Sequence, residues 1–113
     1  MCSGSELSAI IDRLRASLGE IFPGENFEVS LFGSYARNDA DDESDVDVMF
    51  LVDSSRQRIA EKHWKIGEAA ADVLMDFGVV VSPVVENRAY YNANADILPF
   101  FRNISREGVR IGA

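Results

Sequence analysis

The sequence predicts an α/β fold, a small mixed β-sheet covered by helices. Stretches with the two-residue period of strands, residues 27–31 and 45–52, are interleaved with stretches of helical period, residues 5–18 and 54–76. Chain breakers fall between them: Gly19, the Pro23-Gly24 pair and Gly78. At 113 residues there is material for one domain with one core, residues 1–113, and not for two.

Residues 5–18 read as a helix because Leu7, Ile10, Ile11, Leu14 and Leu18 recur at three- and four-residue spacing, with Ser5 or Ser8 to cap its start. Phe27, Val29 and Leu31 then alternate with Glu28 and Ser30, a half-buried strand running into Gly33-Ser34. A short helix over residues 34–38 and a polar loop through Ser44 follow. Val46, Val48, Phe50 and Val52 alternate with Asp45, Asp47, Met49 and Leu51, so the second strand has one apolar face and another that begins acidic. Over residues 54–76, Ile59, His63, Ile66, Ala70, Val73 and Phe77 form one helical stripe, which places His63 in the core or at an interface. Trp64 is expected at the sheet margin or a subunit contact. Gly78 suits the end of that helix. Residues 79–85 read as a third strand, at an edge or with a bulge, because Pro83 has no N–H for a ladder. Beyond Glu86 the pattern predicts a short helix over 90–98 stopped by Pro99, then a turn or helix over 103–108.

The net charge of -8, from 19 acidic and 11 basic side chains, opposes non-specific attraction to nucleic acid or an anionic membrane. A triphosphate can still reach an acidic site when a divalent metal arrives with it. The lone cysteine, Cys2, allows no internal disulfide and no Cys-rich metal site, and is expected at a frayed end. There is no apolar run behind a basic leader, and none approaches the roughly 20 residues that span a bilayer. A soluble cytoplasmic protein is the expectation.

The chemistry concentrates in Leu31-Phe32-Gly33-Ser34-Tyr35-Ala36-Arg37 and Ser44-Asp45-Val46-Asp47-Val48. Gly33 lets the chain turn sharply and leaves room for a phosphate against the backbone. Ser34 adds a hydroxyl, and the first N–H groups of a helix face an anion favourably. Arg37 stands within reach of the same phosphate. Asp45 and Asp47, alternate residues of a strand, project to one face, where two carboxylates repel unless a cation such as Mg²⁺ joins them. That arrangement suits attack on an α-phosphorus. The run Asp39, Asp41, Asp42, Glu43 reads as a solvated loop, and Tyr35 as a packing residue.

These motifs resemble the nucleotidyltransferase superfamily related to DNA polymerase beta, especially its minimal bacterial and archaeal members. The family pattern is Gly-Ser, ten residues, then Asp-x-Asp. Gly33-Ser34, the ten residues Tyr35 through Ser44, and Asp45-Val46-Asp47 match it, and the likeness covers residues 27–85. The resemblance implies that Gly33 and Ser34 hold the triphosphate, beside the Arg37 already placed within reach of it. It implies that Asp45 and Asp47 bind Mg²⁺ and carry catalysis, and that an AMP group passes from ATP to a hydroxyl of a protein or small molecule. Active members usually add a third carboxylate on the next core strand. Here Val79-Val80-Val81-Ser82 has none; Asp76 before it reads as a helix-end surface residue, and Glu86 after it is either the further metal ligand or a solvated turn residue. The tail from Pro99 to Gly108 is similar to that of one subgroup, without a physical role evident in the residues. The resemblance also implies a partner, because family members draw their acceptor pocket from an extra helical domain or a separate helical protein. Small members act as antitoxins beside a HEPN-type ribonuclease, covering it or transferring AMP to one of its tyrosines. A homo-oligomer is a further expectation.

Overall fold

Ser3, rather than Ser5 or Ser8, opens the first helix: its hydroxyl accepts the Glu6 N–H at 3.1 Å, and α1 runs over Gly4–Ile21. The apolar spacing read from the sequence lines its buried face with Ile10, Ile11, Leu14 and Leu18. The computed structural model describes residues 2–111. Beyond α1 the chain forms β1 (Glu28–Phe32), α2 (Ser34–Arg37) and β2 (Val46–Val52). Two helices follow, α3 (Arg56–Glu61) and α4 (His63–Phe77), and then β3 (Val81–Asn87), α5 (Arg88–Asn94), α6 (Pro99–Glu107) and β4 (Val109–Ile111).

The four strands lie in the order β3-β2-β1-β4. β1 is antiparallel to β2 and β4, while β2 and β3 are parallel, joined by the α3–α4 crossover. The sheet is therefore mixed, as expected. Pro83 lies on β3, an edge strand, where the missing N–H is tolerated.

Two helical layers cover the two faces. On the first, α1 and α4 pack over Val46, Val48, Phe50 and Val52 of β2 and Val29 and Leu31 of β1. On the second, Tyr91 of α5 and Phe101 and Ile104 of α6 pack on Met49 and Leu51. Burial on both faces explains why β2 is almost continuously apolar after Asp47.

Four expectations change. The long helix is two helices, because the chain leaves helical dihedrals at Lys62 (φ -98°, ψ 5°). α4 consequently buries Ile66, Ala69 and Val73, while His63 and Trp64 at its start are exposed, so His63 is not a core histidine. Pro99 starts a helix instead of stopping one, with its fixed φ suited to the first helical position. Cys2 is not frayed: its N–H and thiol both reach the Tyr35 hydroxyl, at 3.2 and 3.4 Å. β4 was absent from the expectations altogether. Gly78 does end α4, in the left-handed conformation (φ 69°). Among the described residues no helix is long and apolar enough to cross a membrane.

Candidate functional site

β1 delivers the chain to Gly33, which has φ 73° and ψ -153° and begins the single turn of α2. Its carbonyl accepts from the N–H groups of Ala36 and Arg37, both at 3.1 Å. A side chain is excluded there twice over. The backbone lies in a region that L residues avoid, and a Cβ would come within 2.3 Å of Asp47 Oδ2. The Gly33 turn and the Asp47 carboxylate are therefore in contact.

The register explains that contact. Phe32 of β1 and Ser82 of β3 are the cross-strand partners of Asp47 on β2, so Ser82, Asp47 and Phe32 form one row on the second face. Asp45 lies just before β2, two residues ahead of Asp47 and on the same side of the chain. Val46, between the two, is fully buried on the opposite face. Asp47 is half-buried and Asp45 exposed. Burial pushes the Asp47 carboxyl above the ordinary carboxylate value, the negative charge of Asp45 pushes it further, and Arg37 offsets part of the rise. Among the described residues neither carboxylate accepts a hydrogen bond, and the Ser34 hydroxyl has no partner.

Arg37 is turned to two other acids, with Nε 3.3 Å from Asp39 and Nη1 3.4 Å from Glu107 of α6. Glu86 is not brought to the pair. It shares the face of Asp47 but lies opposite Leu51, four residues along β3 from Ser82, about 13 Å at the usual strand rise. There its buried carboxylate accepts from Arg56 Nε at 3.2 Å and from the Asn87 N–H at 2.7 Å. Arg56 also stacks on the Tyr90 ring, its guanidinium carbon 3.8 Å from the centroid. Glu86 thus closes the far end of the sheet. Two neighbours of the site escaped the sequence reading. Glu107 is seventy residues from Arg37, and no spacing signals such a contact. Phe32 is placed beside Asp47 only by strand register.

Among the described residues no group of three or more His, Cys, Asp or Glu is placed to hold a metal ion. The donors present nonetheless suit Mg²⁺, which is commonly held by one or two carboxylates, with substrate phosphates and water completing its oxygen shell. The half-buried Asp47, crowded by a second carboxylate, is a group whose charge a cation would relieve.

The fold is similar to that of a solved structure described as a "putative nucleotidyltransferase" from Sulfolobus solfataricus, with TM-score 0.50 and 18% identity, covering 96% of this chain and 87% of the other. The chain belongs to the nucleotidyltransferase domain family, whose model matches residues 11–98. Two relatives from Methanocaldococcus jannaschii, each named "Putative protein adenylyltransferase", are 36% and 31% identical to it. The first alignment covers 71% of this chain and 79% of the relative, the second 77% and 79%.

Proposed function

We propose that the chain is a Mg²⁺-dependent nucleotidyltransferase that moves AMP from ATP to a hydroxyl of a protein or small molecule and releases pyrophosphate. The observation that carries this reading is the close approach of the Asp47 carboxylate to the Gly33 turn, with Asp45 two residues ahead on the same face: two carboxylates that accept no hydrogen bond among the described residues adjoin the start of α2. Membership of the nucleotidyltransferase family and the names of the two relatives support the same chemistry.

In this reading Asp45 and Asp47 hold the metal, and Gly33 and Ser34 take the triphosphate, Ser34 through its hydroxyl. Bound Mg²⁺ supplies neutralisation of charge on the phosphoryl oxygens. Arg37 leaves Asp39 and Glu107 for a phosphate oxygen, an exchange of two weak exposed pairings for a charge-assisted hydrogen bond. The acceptor hydroxyl oxygen forms the new bond to the α-phosphorus and gives up its proton to water, while the bond to the oxygen bridging to the β-phosphorus breaks and pyrophosphate leaves. Glu86 has no part in this set. The acceptor comes from another molecule, and a helical HEPN-type protein is the partner that the family resemblance implies.

Calorimetric titration with ATP in the presence of Mg²⁺, repeated with EDTA, tests the site. Binding that requires the metal and vanishes in the folded Asp45→Asn/Asp47→Asn double variant is the expected result. Undiminished binding in that variant would falsify the metal site.

A further inference from the structure

The tail that follows the last predicted strand forms α6, and its first turn presents an aromatic ring to the candidate site. Phe101 and Ile104 are buried against Met49 and Leu51, which fixes α6 on the second face of the sheet. Phe100, next to Phe101, remains 48% exposed. Its ring meets Phe32 edge-on, with centroids 5.7 Å apart and planes at 84°. Phe32 is the cross-strand partner of Asp47. The second face therefore carries, side by side, the carboxylate proposed for the metal, a half-buried phenyl ring and a half-exposed one. At its other end α6 reaches Arg37 through Glu107.

An apolar ring kept half in water on the face that carries the carboxylate pair suits a ligand that reaches the carboxylates through a metal-bound anionic end and is flat at the other. A nucleoside triphosphate has that shape, since the ribose spaces the base away from the α-phosphate. We propose that Phe100, supported by Phe32, is the stacking platform for the nucleobase, and that α6 is the wall of the site on the base side. The proposal rests on the triphosphate site described above. A phenyl ring offers a π-face and no hydrogen bond, so it favours large flat bases over small ones, and the order of affinity is purine over pyrimidine triphosphate.

Two variants separate stacking from packing. Phe100→Leu keeps an apolar side chain against Phe32 without the flat face, and Phe100→Tyr keeps the ring. Both are exposed enough to fold, which circular dichroism checks. Binding of ATP and of inorganic tripolyphosphate, each with Mg²⁺, is measured for the natural protein and both variants. The expected result is a loss of ATP affinity of roughly tenfold in Phe100→Leu, the scale of one base–aromatic stack. Tripolyphosphate affinity should not change, and Phe100→Tyr should restore ATP binding. Equal losses for both ligands, or no loss for ATP, overturn the platform while leaving the triphosphate site standing. If the natural protein binds neither ligand, the triphosphate site itself fails and the platform falls with it.

Discussion

Gly33 and Asp47 constrain each other, and each constraint has a measurable cost. Placing a methyl group at residue 33 combines a disfavoured backbone conformation with a clash against the Asp47 carboxylate. Gly33→Ala is expected to lower unfolding free energy by about 1–3 kcal/mol, seen as a lower urea midpoint. Asp47 behaves oppositely. Its carboxyl is held above the ordinary value, chiefly by burial and then by Asp45, so the folded state binds the proton more tightly than the unfolded chain does. The resulting destabilisation is absent below the ordinary carboxylate range, grows as pH rises through the folded-state value, and is complete at neutral pH. Asp47→Asn should therefore melt higher than the natural protein at pH 7, with the difference shrinking as the solution is acidified. A neutral-pH melting temperature that is unchanged or lower would contradict this account of the site. The pair was legible because alternate strand residues share a face, a rule that needs no tertiary information. The separation of Glu86 from it was not, because position along β3 follows from pairing with β2.

The helices of both faces were read with errors of boundary, the first-face helix over 54–76 being two helices and the second-face α6 starting before the expected 103, while β4 was missed. α1, β1 and β2 bury side chains at regular spacing, which a sequence records directly. β4 has only three residues, too few for a visible alternation, and exists because β1 offers it a ladder. α6 was obscured by Pro99, whose missing N–H is compatible with either the end of one helix or the first turn of another. What holds α6 is the tertiary contact of Phe101 and Ile104 with Met49, Leu51 and Tyr91. Truncating Ile104, 3% exposed, to Ala should accordingly cost about 2–5 kcal/mol in denaturant unfolding. A loss of a few tenths would mean that the second face is not a packed layer.

For the molecule as a whole, the excess of acid is both the most legible property and the least specific. A net charge of -8 repels itself in the folded state, while the exposed ion pairs, such as Arg13–Asp76 and Arg37–Glu107, contribute little. Added sodium chloride shortens the screening length from about 30 Å at 0.01 M to about 8 Å at 0.15 M. The melting temperature should rise over that interval, and a fall would show that the ion pairs outweigh the repulsion. The sheet order adds a consequence of another kind. β4 joins β1 across the strands made between them, and α6 precedes it directly. During synthesis, at about 5–20 residues per second, β1, β2 and β3 emerge from the ribosome before the helix that shields Met49 and Leu51. For that interval the nascent chain carries a bare apolar surface, open to chaperones and to aggregation. The side of the sheet that bears the carboxylate pair is the last to be sealed.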